Sequence, residues 1–347
     1  MNRLIEESPE AKDMFETVKR DVDSYKVYAG ERFKDIFAAV LATTGIDGQG
    51  DIMGEEQLRQ IARKVNEGTV WLSGREHNPF APPQGRFFKA EVFEADGKYF
   101  VCAVGGVYSV DTFTSFTNAG IDAGDAVSVP EPSTEDWEAS QSQEYEIVVS
   151  GENATKTFDD QKLAQTTPPE WKVHVKERVQ KGFVDYDVLE VAIFVTCLGA
   201  FLKGFFSELG RQTADDVKRL LSSLLQGMPG EDDDSQPVFR LRLSGDGCDI
   251  ILIANREDPQ NQDTDEIAIE QIDQGLRVAA NLIEQLDLME VKEVALVFDP
   301  EEHRWEPHYA VTVETGIITD ERDELNLDDF NGVSITGTVE CREVERE

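Results

Sequence analysis

The run LEVAIFVTCLGAFLKGFFSEL, Leu189–Leu209, is the stretch that any fold of this chain must hide first. Its uncharged core, Val191–Leu202, is 12 residues long, whereas a membrane-spanning helix needs about 20. Extending it brings in Glu190 and Lys203. The run therefore reads as a helix buried in a protein core. The alternative is a helix that inserts into a membrane or lies at its interface, because Gly199, Ala200 and Gly204 permit close packing in either setting. Val217, Leu220, Leu221, Leu224 and Leu225 continue it with the spacing of a second helix, and GMPGEDDDSQP (227–237) ends the segment as a linker.

The 347 residues suffice for two or three domains with cores of their own. Against 33 Lys+Arg stand 70 Asp+Glu, a net charge of −37. The acid is spread along the chain rather than gathered in a tail, and Lys supplies only 15 of the basic residues. Self-repulsion of this size destabilises the compact state until salt screens it, which fits a halophilic cytoplasm. The unfolding midpoint is expected to rise between low and molar KCl, and an unchanged midpoint would remove that reading. No Lys/Arg stripe offsets the field, so nucleic acid is not an expected partner. Cys102, Cys197, Cys248 and Cys341 are widely spaced with no C-x-x-C pair, as expected of reduced thiols rather than a zinc site or a disulfide framework. No metal and no cofactor is expected. The opening MNRLIEESPEAKDMF has no apolar h-region, so no signal peptide is expected. This places the chain in a cytoplasm or a virion rather than outside the cell.

Apolar periodicity sets the remaining elements. Residues 1–34 form a helical lead-in, with Met14, Phe15, Val18 and Val22 on one side. Ile36–Thr43 reads as a strand, and Glu55–Val65 as an amphipathic helix carrying Leu58, Ile61, Ala62 and Val65. Thr69–Leu72 and Arg86–Glu94 read as strands, and Asp96-Gly97 as a hairpin turn into Tyr99–Val104. Residues 121–171 are an acidic, Pro/Ser-rich linker region enclosing one strand, Tyr145–Val149. Val173–Gln180 reads as a charged helix opening a helical segment at 172–226. From 237 to 347 the pattern gives strands Val238–Leu243 and Cys248–Ala254, the long helix Asp265–Leu286, and strands Val294–Phe298 and Tyr309–Val313, with Val333–Val339 as a further edge strand. That order is ββαββ, an α+β arrangement.

One stretch reads like a site. Asp47, Gly50, Asp51 and Ile52 form a turn into the helix Glu55–Val65; His77-Asn78 then precedes Pro82, Pro83 and Gly85, and a strand pair follows. As an ordered set over residues 45–108, this resembles the herpesvirus-like maturation proteases of tailed viruses, the prohead proteases and their XkdF-like relatives. The resemblance implies a small β-rich protease-like module at 35–120 and a serine peptidase in which His77 is the general base. A serine hydroxyl becomes a competent nucleophile only when a base within hydrogen-bond reach takes its proton. The family's S-x-G-F-like strand has no match here. Ser109, Ser115 and Ser128, in VYSVDTF, TSF and VSVPEPS, are the alternative nucleophiles.

His303 and His308 flank Trp305 beside Asp299, Glu301 and Glu302, a set that would suit a divalent cation. Strand alternation sends two such imidazoles to opposite sides, so a hairpin tip stabilised by Trp305 is the expected reading. Glu231–Asp234 lacks the ligand spacing of a calcium loop and reads as solvated linker. Two functions follow. One is a prohead-protease-like protein of viral or prophage origin, either a degenerate serine peptidase or an active one that acts on a protein partner. The other is a non-enzymatic protein that binds partners or itself through the C-terminal domain and the 189–209 helix, with membrane contact through that helix as the less favoured alternative.

Overall fold

The computed structural model describes residues 8–29, 32–45, 53–68, 70–72, 80–122, 145–151, 154, 158–159, 163, 167–168, 171–177, 186–206, 211–227, 236–245, 247–255, 268–286, 291–312 and 316–320. They belong to two compact units, with the division between Phe113 and Thr114. Helices and sheets alternate irregularly in both, and the class is α+β.

The first unit holds α1 (Pro9–Ala29), β1 (Phe33–Thr43), α2 (Glu55–Asn66), β2 (Trp71–Leu72), β3 (Gly85–Ala95) and β4 (Lys98–Tyr108). The strands form one antiparallel sheet in the order β1-β4-β3-β2. The turn between β3 and β4 is the expected one: Asp96 (φ 50°) and Gly97 (φ 69°) both take the left-handed conformation of a two-residue hairpin. Leu58, Ile61, Ala62 and Val65 of α2 pack on the face that includes Ala39, Leu41, Val101, Ala103 and Val107. Gln57 Oε1 accepts from Gly54 N at 2.7 Å and holds the start of that helix. On the opposite face α1 brings Met14 Sδ to 3.9 Å from Cys102 Sγ and stacks Tyr25 on Phe88 at 5.6 Å. Burial pushes the Cys102 thiol up to about 12.

Beyond its two-residue pairing with β2, β3 is an edge, and the edge is guarded. Asn66, at the end of α2, donates Nδ2 to Ala90 O at 3.0 Å and accepts from Ala90 N at 2.9 Å, standing in for a paired strand. A bulge between Phe87 and Lys89 interrupts the ladder nearby.

The second unit holds β5 (Phe113–Thr114, where the chain passes from one unit to the other), β6 (Tyr145–Gly151), β7 (Trp171–Glu177), β8 (Tyr186–Val195), α3 (Leu198–Phe206), α4 (Arg211–Gly227), β9 (Gln236–Gly245), β10 (Cys248–Asn255), α5 (Ile272–Gln285), β11 (Val291–Asp299), β12 (Arg304–Thr312) and β13 (Gly316–Thr319). All nine strands make one sheet, ordered β5-β13-β12-β11-β10-β9-β8-β6-β7. Its core lies on one face. Leu189, Val191 and Ile193 of β8 are level with Phe239, Leu241 and Leu243 of β9, and these continue to Ile250 and Leu252 of β10 and Val294 and Leu296 of β11. Leu220, Leu221 and Leu224 of α4 and Ile272, Leu276 and Ala279 of α5 cover that face. Of the three parallel pairs, β6–β7, β8–β9 and β10–β11, the last two are joined by helices on this side, yet β9 and β10 run antiparallel. The two crossovers must therefore turn with opposite hands, and one of them has the uncommon left hand.

Two sequence expectations are corrected. Leu189–Leu209 is not one helix: it is strand up to Val195 and helix from Leu198. Val188, Val191, Ile193 and Val195 make a strand buried on both faces, whose continuous apolar run periodicity cannot tell from a buried helix. Among the described residues no helix is long and apolar enough to cross a membrane. Val173–Gln180, expected as a helix, begins inside strand β7, where Trp171, Val173 and Val175 alternate toward the core. The strand expected at Val333–Val339 and the acidic run Glu231–Asp234 lie outside the described residues.

Candidate functional site

The expected catalytic set is only partly in view. His77, Ser128 and the turn Asp47, Gly50, Asp51 and Ile52 lie outside the described residues. Ser109 follows the last residue of β4. Its N–H donates to Arg32 O at 2.9 Å, its carbonyl accepts from Thr112 N at 3.0 Å, and its Oγ lies 3.1 Å from Thr112 Oγ1. Thr112 Oγ1 donates to the same Arg32 carbonyl at 2.5 Å. These bonds tie the 3-10 turn Val110–Thr112 to the start of β1. Ser115, in the other unit, does similar local work. Its Oγ accepts from Asn118 N at 3.1 Å and its carbonyl from Ala119 N at 3.0 Å, the pattern of a hydroxyl-capped turn. The Ser115 hydroxyl thus caps a turn, and the Ser109 hydroxyl lies against the Thr112 hydroxyl that is bonded to the Arg32 carbonyl.

His303 and His308 do not converge. His303 occupies the hairpin turn with φ 52°. His308 is buried at a bulge in β12, where Ala295 faces Tyr309, Leu296 faces Pro307 and no residue faces His308. The bulge turns its ring toward its neighbour, 5.5 Å from the Tyr309 ring. Among the described residues no group of three or more His, Cys, Asp or Glu side chains is placed to hold a metal.

The sequence reading missed a polar face. On the side of the nine-stranded sheet away from α4 and α5, charged residues sit within apolar strands. Glu190 on β8 is level with Arg240 on β9, their charged atoms 3.7 Å apart and both residues under 8% exposed. Two positions along β9, Arg242 is bound to Asp249, which also accepts from Ser244 Oγ at 2.6 Å. Tyr309 Oη donates to Glu293 Oε1 at 2.7 Å with both residues nearly inaccessible. Breaking such a buried pair by removing one partner leaves the other charge without compensation, at a cost of about 3–5 kcal/mol. The signal was present in the sequence as acids and arginines at alternate positions of LEVAIF and FRLRLSG. Only the register pairs them. These pairs fix strand register.

No protein-family model, curated protein or solved structure matches the chain.

Proposed function

We propose that this chain is a prohead-protease-like protein without peptidase activity, of viral or prophage origin, that works by binding protein partners or copies of itself. The observation that carries this reading is the use of the Ser109 and Ser115 hydroxyls in local turns. A nucleophile needs a base within hydrogen-bond reach, and His77, the base that the resemblance names, lies outside the described residues. In this reading the ββαββ stretch from 237 onward is the partner-binding domain, and the chain resides in a cytoplasm or a virion. Nucleic acid is disfavoured by the charge of −37. Membrane contact through 189–209 is disfavoured because Leu189, Val191, Ile193, Leu198, Phe201, Leu202 and Phe205 belong to the core of the second unit.

A second reading, an active serine endopeptidase with His77 as base, is favoured by the sequence order of α2 followed by the β3–β4 hairpin. One experiment separates the two. The full chain and its His77→Ala variant are treated with a serine-directed fluorophosphonate, and labelling is read by mass spectrometry. No stoichiometric adduct is expected on either. An adduct on Ser109, Ser115 or Ser128 that disappears in His77→Ala would establish the peptidase and overturn the first reading.

A further inference from the structure

At the end of the four-stranded sheet where β1 and β3 begin and β4 ends, the first unit gathers positive charge in a strongly acidic chain. Arg86 faces Gly106 across the β3–β4 ladder. The absent side chain makes room for two rings: a Cβ on Gly106 would lie 2.7 Å from Phe33 Cδ1 and 2.9 Å from Phe88 Cζ. The Arg86 guanidinium lies over both rings, 5.7 Å from the Phe33 centroid and 5.3 Å from that of Phe88. These contacts hold the guanidinium plane by cation–π attraction. Its Nε is nevertheless buried with no hydrogen-bond partner among the described residues, and so is Oε1 of neighbouring Gln84. A buried donor on a charged group left without an acceptor is destabilising, and a ligand oxygen would relieve it.

Other groups converge on the same corner. Tyr108 N donates to Gln84 O at 2.9 Å, and the Tyr108 ring stacks on Phe33 at 5.2 Å. Burial pushes the Tyr108 phenol up to about 12, while the charges of Arg86 and Arg32 pull it the other way, so both guanidinium groups bear on this hydroxyl. The Arg32 carbonyl anchors Ser109 and Thr112, whose hydroxyls lie beside it. Asp35 and Asp111 on the neighbouring stretches are exposed, and Glu31 lies outside the described residues.

We infer that this corner is an oxyanion-binding site with Arg86 as its anchor. A guanidinium held between two rings offers its edge, whose parallel N–H bonds match the paired oxygens of a carboxylate or a phosphate. The site stands whether or not the chain cleaves peptides. The test is thermal unfolding of the full chain titrated with glutarate or with inorganic phosphate at constant ionic strength and potassium concentration. A saturable rise of the midpoint is expected with at least one probe, weakened at least tenfold in Arg86→Gln. A response to glutarate alone identifies carboxylates as the ligand class, and a response to phosphate alone identifies phosphate or its esters. Arg86→Lys keeps the charge and the stem but not the edge, and is expected to fall between the two. No saturable response to either probe in the wild type overturns the inference, as does an unchanged response in Arg86→Gln. Should Arg86→Gln not fold, an unchanged response in Arg86→Lys has the same force.

Discussion

Replacing Trp305 with alanine is expected to lower the unfolding free energy by about 3–5 kcal/mol. The indole is fully buried between β12 and α5. Its Nε1 donates to Gln271 O at 3.1 Å at the start of that helix, and Phe298 meets it edge-on at 5.2 Å. The helix can approach this closely because residue 275 is glycine: a Cβ there would lie 3.0 Å from Trp305 Cδ1. Alanine would remove the largest fully buried side chain among the described core residues and one of the three hydrogen bonds that the Gln271 carbonyl accepts, the others coming from Gln274 N and Gly275 N. Trp305→Phe, which keeps a ring but not the donor, should cost less, about 1–2 kcal/mol. Denaturant unfolding followed by far-ultraviolet circular dichroism measures both. A loss under about 1 kcal/mol for Trp305→Ala would mean that the helix does not depend on this contact.

Gly85→Ala is expected to cost on the order of 3 kcal/mol or more, through a steric conflict with backbone rather than a lost contact. A Cβ at Gly85 would sit 2.2 Å from Gly106 O, and no side-chain rotation relieves that. Gly97→Ala is the control. Nothing lies within 4 Å of its Cβ position, so only the left-handed φ of 69° is penalised, by about 1–2 kcal/mol. The two variants compared under the same denaturant titration separate close approach from backbone strain. Equal losses would contradict the packing described for β3 and β4.

The elements best read from sequence were those whose pattern had one physical explanation. The helix at Glu55–Asn66 carries its apolar residues at 3.6-residue spacing, and Asp96-Gly97 supplies two residues tolerant of positive φ, so either could be placed without knowing its neighbours. The run at 189–209 failed because burial on both faces erases the polar alternation that marks a strand. The helix expected at 173–180 failed for a different reason. Lys172 and His174 alternate with Trp171, Val173 and Val175, a period of two that the charged composition obscured. The prominence of Trp305 was anticipated, though as a hairpin tip and not as the anchor of a helix. Of the candidate site, Ser109 and Ser115 were found to support turns, which depends on partners three residues away and not on the serine itself. The cluster of Arg86, Phe33 and Phe88 was invisible beforehand, since β1 and β3 are not neighbours in the sheet and both pack across β4 through the gap left by Gly106.

The order of the large sheet bears on how the chain comes off the ribosome. From β8 to β13 each strand lies beside the one made just before it. The growing sheet therefore never has to wait for distant sequence: each new strand can add to an edge already exposed, with its helix closing over the preceding pair. Strand β5 is the exception. It is synthesised before them, yet its place in the sheet is beside β13, so that edge can be completed only after β13 has emerged. Vectorial synthesis thus gives the second unit an ordered assembly with a late final step, in which the first strand of the sheet to be made waits for the last.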